Sequence, residues 1–240
     1  MSGEVGPTSN DISFPKEQEY EASNINNKFH SSSPRKVGFL SFRHLNAVAL
    51  IIILSASGMV NPEDLAFVLF SLFYMYFISM VAFPTLHTSK EPTVFSPQNK
   101  LLRIYVLVGA IIGLFLPIAY IVHGIYEGDK KGIEAATPHV FLLASQVFME
   151  GVAFSDMFSL PIRVFVPVCF NTRRVFTIVD WMRSEFSKVE ESSGGFRRRS
   201  HAGRGLAVAN MVFWCFNLFG FLLPVYLPKA FKRYYSGDKV

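Results

Sequence analysis

The feature that most constrains this chain is the clustering of its apolar residues into blocks about as long as a bilayer is thick. Half of the 240 residues are hydrophobic and 17% are charged, against about 25% charged in an ordinary soluble domain. A bilayer core about 30 Å thick requires roughly 20 helical residues, and the blocks lack the alternation of barrel strands. The sequence therefore predicts an all-α, multi-pass helical membrane bundle. It argues against a soluble enzyme, a disordered protein or a disulfide-rich secreted domain.

Five blocks are long enough, or nearly so, to cross a bilayer. We predict five transmembrane helices, near residues 42–60, 65–86, 101–122, 140–160 and 206–227, within a membrane domain of residues 42–231. Pro224 and Pro228 interrupt the last block late, so four spans plus a re-entrant C-terminal segment is the alternative. Pairs such as Asn61-Pro62 and Thr137-Pro138 mark expected helix starts.

The N-terminal residues 1–41 differ from the rest in composition. They are rich in Ser, Asn, Glu, Gly and Pro and hold no apolar run of signal-peptide length. Such a segment buries too little apolar area to offset the entropy lost on ordering, so we expect a disordered tail. With this tail in the cytosol and five spans, most Lys and Arg fall on the cytosolic side. We therefore expect a multi-pass protein of the endomembrane system or plasma membrane with a cytosolic N-terminus.

Residues 171–205 form the longest polar segment of the predicted membrane domain, and we interpret them as a basic amphipathic cytosolic loop. Its apolar residues recur at helical steps from Val175 to Val189. Candidate contacts to anionic lipid or to a protein partner surround that stripe: Arg173, Arg174, Trp181, Arg183, Arg197, Arg198 and Arg199. A helix of this kind lies on an anionic leaflet, packs on the protein itself or holds a partner, and these alternatives stay open.

Three consecutive arginines precede Ser200, which makes Ser200 a candidate phosphosite. The same arginines also serve to keep a loop in the cytosol under the positive-inside rule. We favour the second interpretation, because it needs no further partner.

Five polar residues at membrane depth are the candidates for a mechanism: Gln146, Glu150, Asp156, Asn210 and Asn217. An ionisable group within a span is costly and is a functional hypothesis by default. In one interpretation Glu150 lines a substrate or proton path. In the other, these side chains hydrogen-bond between helices and fix the packing of the bundle.

The sequence offers no residue that we would name as catalytic. The six histidines form no H-x-x-x-H pair, and no Walker loop, nucleophile elbow or dinucleotide fingerprint is present. Cys169 and Cys215 have no metal or disulfide spacing. We therefore expect no enzyme activity, cofactor or metal.

The net charge of +5 comes from basic residues that flank the apolar blocks, so we expect the bilayer as partner and no nucleic acid. A protein partner and a second copy of the chain are the two further partners that we consider.

Three stretches resemble a family of uncharacterised multi-pass membrane proteins of land plants. They are residues 42–46 (FRHLN), 55–67 (SASGMVNPEDLAF) and 73–77 (FYMYF), and the resemblance runs from about residue 38 to 235. It implies an integral membrane protein without an assigned activity. Our first hypothesis is a non-enzymatic protein that acts in membrane assembly or as an adaptor through residues 171–205. The second is a small transporter or channel that uses Glu150.

Overall fold

The computed structural model describes residue 46 and residues 49–52, 57–85, 94, 100–153, 158–188 and 194–237. All of them belong to one unit, Leu40–Val240. The predicted tail at 1–41, part of the first predicted span and Asp156 lie outside the described residues.

Every regular element in the described part of the chain is helical, which confirms the all-α prediction. After a 3-10 turn at Ser57–Met59, the helices are α1 (Pro62–Val81), α2 (Lys100–Glu127), α3 (Lys130–Ala153) and α4 (Leu160–Ser187). The last helix, α5, consists of Gly194–Cys215, a π-helical segment Phe216–Tyr226 and Leu227–Gly237 in direct succession. A shorter π segment, Ile111–Phe115, interrupts α2.

Three of these helices are long and apolar enough to cross a membrane: Pro62–Val81, Lys100–Glu127 and Arg199–Ser236. They indicate a membrane protein, but the five predicted spans are not confirmed. α3 and α4 have sufficient length, with 24 and 28 residues, yet both carry ionisable side chains along that length. The chain stays helical through Pro224 and Pro228, so the alternative of a broken, re-entrant C-terminal segment does not describe α5.

The predicted block at 140–160 is divided between two helices in the structure. α3 begins at Lys130, eight residues before Pro138, because Asp129 Oδ1 accepts a hydrogen bond from Gly132 N–H at 2.9 Å and satisfies the first turn. Pro138 therefore lies inside α3 rather than at its start. Pro161 lies in the first turn of α4, where its missing N–H removes no helical hydrogen bond.

α3 lies at the centre of the bundle and is buried along most of its length. α4 packs along it and also along α5, and these are the two most extensive contacts between described helices. α1 closes one side through Met75, which packs with Met149 of α3 and with Ile162 and Phe170 of α4. Apolar burial of this kind stabilises the packing of the three helices in this part of the bundle.

The outer surface of α1 is almost entirely apolar and exposed. Phe70, Phe73, Tyr76, Phe77 and Met80 are each more than half exposed. Soluble monomers rarely leave a contiguous apolar patch of this kind open to water. Lipid is the solvent in which such a surface is stable, and this supports the membrane assignment.

Ion pairs hold the helices together at one end of the bundle, which we call the charged end. The start of α1 meets α4 there, with Asp64 Oδ1 2.8 Å from Arg173 Nε. The α2–α3 link meets the start of α5, with Asp129 Oδ2 2.8 Å from Arg199 Nε. Because Lys188 contacts the same Asp129 oxygen at 3.2 Å, the α4–α5 link also lies at this end.

Neutral contacts hold the opposite end. Ser159 Oγ, at the start of α4, donates to Phe83 O at 2.8 Å, and Tyr234 Oη of α5 donates to Pro84 O at 3.0 Å. The end of α1, the start of α4 and the end of α5 therefore meet here.

This arrangement differs from the predicted sidedness of the chain. The sequence placed residues 171–205 opposite the links at 61–64 and 128–131, whereas the structure brings all three to the charged end. The reason is that α4 is a further helix through the bundle and not a loop. Basic residues, among them Lys229, Lys232 and Arg233 at the opposite end, therefore occur at both ends. A cytosolic N-terminus stays a prediction.

Gly113 of α2 allows a close approach of α2 to the Trp214 ring of α5. A Cβ at this position would lie 2.6 Å from Trp214 Cζ2, closer than packed carbon atoms approach. We expect Gly113→Ala to lower the free energy of unfolding by about 1–3 kcal/mol through overpacking, measured by thermal unfolding in detergent micelles. The matched control is Gly205→Ala in α5, where a Cβ would meet nothing within 4 Å. Equal stability of the two variants would contradict this account.

Candidate functional site

A cavity of about 480 Å³ lies between α2, α3, α4 and the π segment of α5. Most of its wall is apolar and aromatic. The polar residues that line it are Tyr105, Gln146, Glu150, Arg163, Asn217 and Tyr226. Three of the five predicted membrane-depth residues, Gln146, Glu150 and Asn217, therefore line the same cavity.

The local helix geometry explains why these side chains meet there. Gln146 and Glu150 are four residues apart on α3 and share one face. The π segment Phe216–Tyr226 widens the turns of α5 beside the cavity, and the π segment Ile111–Phe115 of α2 does so across from it. Such segments shift the register of the side chains that follow them and are frequent at functional sites.

A short hydrogen-bonded chain connects Glu150 to the core of the bundle. Gln146 Nε2 donates to Glu150 Oε1 at 2.7 Å. The Gln146 oxygen in turn accepts a hydrogen bond from Arg174 Nη2. Arg174 is fully buried, so its charge has no solvent to stabilise it and depends on this chain and on Glu150.

The aromatic ring of Trp214 supplies the second support for Arg174. The guanidinium carbon lies 4.2 Å from the ring centroid, within the range of a cation–π contact. The ring is oriented by Trp214 Nε1, which donates to Asn210 Oδ1 at 3.2 Å, and the backbone of the same residue is held by Asn171 Nδ2, which donates to Trp214 O at 3.1 Å. Asn210 therefore positions Trp214 and does not line the cavity.

His139 connects α3 to the π segment of α2. Its Nε2 lies 2.9 Å from Gly113 O. Since a carbonyl only accepts, Nε2 carries the proton in this contact. The His139 ring also lies 5.9 Å from the Trp181 ring, nearly parallel to it. His139 and Trp181, both fully buried, thus extend the row of buried polar and aromatic side chains that begins at Arg174 toward the charged end.

Asn217 closes the opposite wall of the cavity. Tyr105 Oη of α2 donates to Asn217 Oδ1 at 2.6 Å, and the Tyr105 ring stacks with Phe213 of α5 at 5.4 Å. Neither Asn210 nor Asn217 hydrogen-bonds Glu150, although the sequence named both as candidate partners of this carboxyl group. Asp156, the fifth predicted polar residue, lies outside the described residues.

A second polar group, which we call the end cluster, lies at the charged end and consists of Tyr120, Asp129, Glu185, Lys188 and Arg199. Tyr120 Oη donates to Glu185 Oε1 at 2.7 Å, and Lys188 Nζ donates to the same oxygen at 2.8 Å. Lys188 and Arg199 both bind Asp129. The cluster joins α2, α4, α5 and the α2–α3 link.

Asp129 is ionised within this cluster. Burial opposes its charge, but hydrogen bonds from Arg199 and from Gly132 N–H, together with the positive charge of Lys188, outweigh that effect. They hold the pKa of the Asp129 carboxyl below its usual value.

Several residues expected on a surface loop lie inside the bundle instead. Trp181 and Arg174 are fully buried, Arg199 is 4% exposed and Ser200 is 8% exposed. A kinase needs an accessible hydroxyl, so this placement of Ser200 does not favour a phosphosite. The physical reason is that Ile178, Trp181 and Met182 of this segment pack on residues of α3 and α5.

The remaining candidates are nearer the surface. Arg173 pairs with Asp64 and lies 3.3 Å from Glu63, while Arg183 is 77% exposed and contacts only Asp180 among the described residues. Arg197 and Arg198 belong to α5, but their side chains are not described. Sequence reasoning missed the cavity roles of Tyr105 and Arg163.

We expect Arg174→Met to lower the free energy of unfolding by about 3–5 kcal/mol, because it leaves Glu150 without its buried counter-charge. Glu150→Gln in the same chain should recover part of that loss, since it removes the uncompensated carboxylate. A double-mutant cycle by chemical unfolding in detergent micelles measures both effects. Arg183→Met, at an exposed position, is the control and should change stability by about 0.5 kcal/mol or less. Additive effects of the Arg174 and Glu150 substitutions would contradict the coupling.

The chain was compared with protein families, with curated proteins and with solved structures. No curated protein matches it, and no solved structure does. One family model matches residues 40–235, and its description is "Domain of unknown function (DUF7733)". This range includes every residue of the cavity and of the end cluster. Because the match covers most of the sequence, the chain belongs to the DUF7733 family.

Proposed function

We propose that this protein is a multi-pass, non-enzymatic membrane protein that transports a small, mainly apolar molecule through the cavity at Glu150. The observation that carries the proposal is the position of the Glu150 carboxyl on the wall of a 480 Å³ space. A side chain that served packing alone would be enclosed in a tight helix contact. Cavities of this size, mostly apolar with a few convergent polar groups, are typical ligand sites.

The chemistry of the wall indicates the class of ligand. Aromatic side chains such as Phe213 and Phe221 supply an apolar surface. Glu150 Oε1 already accepts from Gln146, which leaves the second carboxylate oxygen to accept a donor from a ligand. A small aromatic amine fits both features, with the ring on the apolar wall and the ammonium on Glu150.

The alternative of an adaptor that acts through residues 171–205 has less support. The segment 171–205 exposes less basic surface than the sequence predicted, because Arg174 and Arg199 lie in the interior and Arg173 is paired with Asp64. Among the arginines of that segment whose side chains are described, Arg183 is the one that is largely exposed. Anionic lipid therefore stays a proposed partner of Arg183. No partner protein is required for the cavity to bind a ligand.

The direct test is uptake of radiolabelled phenethylamine, a small aromatic amine, into liposomes that contain the purified full-length protein. We expect uptake above that of protein-free liposomes. Glu150→Gln should reduce the protein-dependent part about tenfold or more, because a neutral amide does not compensate an ammonium in a low-dielectric site.

Glu134→Gln is the matched control, since Glu134 is an exposed carboxylate on the same helix and should leave uptake unchanged. Calorimetric titration with phenethylamine separates binding from movement. If phenethylamine binds in a way that depends on Glu150 but is not taken up, the proposed transport is overturned and the proposed ligand site is kept. Uptake that is the same in wild type and Glu150→Gln would overturn both.

A further inference from the structure

A second cleft, of about 810 Å³, opens between the C-terminal half of α2 and the first half of the apolar part of α5. We call it the α2–α5 cleft and define it by six of its lining residues: Leu116, Tyr120, His123, Glu127, Arg199 and Leu206. On the α5 side its floor is formed by small residues, Ala202, Gly205 and Ala209. The two helices separate here, although both are apolar enough to cross a membrane.

The polarity of the cleft changes along its length. His123, Glu127 and Arg199 lie toward the charged end, whereas Leu116 and Leu206 lie about two turns deeper. α2 has 28 residues, and at 1.5 Å per residue it is about 42 Å long. That length equals the thickness of a bilayer with its headgroup layers, about 40–45 Å. The polar end of the cleft is therefore at headgroup depth and the apolar end at acyl-chain depth.

The polar end has unused hydrogen-bonding capacity of both signs. Arg199 donates one hydrogen bond each to Asp129 Oδ2 at 2.8 Å, His123 Nδ1 at 3.0 Å and Tyr120 O at 3.2 Å. The Arg199 side chain is only 2% exposed, so it supplies a fixed positive charge on the wall of the cleft and not a donor for a ligand. Because Arg199 donates to His123 Nδ1, the proton of the neutral imidazole is on Nε2, and that side chain is 60% exposed.

Glu127 supplies the negative counterpart. Its carboxylate is 35% exposed and approaches His123 and Arg199 only at 3.6 Å, beyond a normal hydrogen bond. Among the described residues it therefore retains its acceptor capacity. The cleft thus places an anionic acceptor beside a neutral donor and the positive charge of Arg199, with apolar walls leading away from them.

We propose that the α2–α5 cleft binds a phospholipid with a primary ammonium headgroup, of the phosphatidylethanolamine class. The phosphate accepts a hydrogen bond from His123 and is attracted by the charge of Arg199 behind it, the ammonium donates to Glu127, and an acyl chain lies against Leu116 and Leu206. A choline headgroup has no N–H to donate to Glu127, and an anionic headgroup places further negative charge beside it. The apolar walls favour a lipid over a soluble phosphate ester.

The cleft is separate from the cavity at Glu150, and the two share no lining residue. The lipid site therefore does not depend on what the cavity binds. It also differs from attraction of basic side chains to anionic lipid, since it requires a carboxylate.

The test uses the full-length protein purified in detergent with an equimolar mixture of four dioleoyl lipids: phosphatidylethanolamine, phosphatidylcholine, phosphatidylglycerol and dioleoylglycerol. Lipids retained after washing are counted by mass spectrometry. We expect phosphatidylethanolamine to be enriched about threefold or more over each of the others. Glu127→Gln should abolish its preference over phosphatidylcholine, and His123→Ala should reduce retention of all phospholipids relative to dioleoylglycerol.

Glu134→Gln, an exposed carboxylate on α3, is the control and should retain the wild-type pattern. Free phosphoethanolamine at millimolar concentration should not displace the lipid, and displacement would indicate a soluble ligand and overturn the lipid assignment. Equal retention of all four lipids by the wild type would indicate nonspecific annular lipid only. An unchanged preference in Glu127→Gln would also overturn the proposed site.

Discussion

The guanidinium of Arg174 is the group on which the arrangement of the other helices depends. A charge removed from water costs several kcal/mol unless neighbouring groups compensate it, and Arg174 has no exposed surface at all. Its compensation comes from α3 through Gln146 and Glu150, and from α5 through the Trp214 ring. α3, α4 and α5 therefore have to pack together with one relative register. The same requirement fixes Glu150 on the wall of the cavity.

The two polar centres have different physical characters. The end cluster is a set of short ion pairs and hydrogen bonds that joins four parts of the chain. Its two carboxylates, Asp129 and Glu185, are paired with two cations, Lys188 and Arg199. The end cluster is suited to holding α2, α4 and α5 together at the charged end. The Glu150 cavity combines one carboxyl group with a mainly apolar wall, and two π segments lie beside it. It is suited to admitting a ligand, because its polar groups are not all used by one another.

Hydropathy was sufficient to predict α1, α2 and α5, and Pro62 marked the start of α1 correctly. The spacing of Gln146 and Glu150 predicted that they share one helix face, but not that they hydrogen-bond each other. α4 was not predicted as a bundle helix, because Arg174 and Glu185 resemble solvent-facing residues as long as only nearby residues are considered. Their partners, Gln146 and Tyr120, lie 28 and 65 positions away. Trp181 was expected as an interfacial anchor for the same reason, although it lies in the core.

The low hydropathy of α4 has a consequence for how the protein is made. An arginine at the centre of a helix opposes insertion by about 2.5–3.5 kcal/mol, so α4 is a poor substrate for insertion as a single segment. α3 and α4 are joined by a short connection and pack extensively on each other. In the proposed membrane arrangement they enter the bilayer as a hairpin in which Gln146 and Glu150 of α3 compensate the charge of Arg174. The cation–π contact with Trp214 is added once α5 is in place, so a nascent chain that stops before α5 lacks the second support of the buried guanidinium.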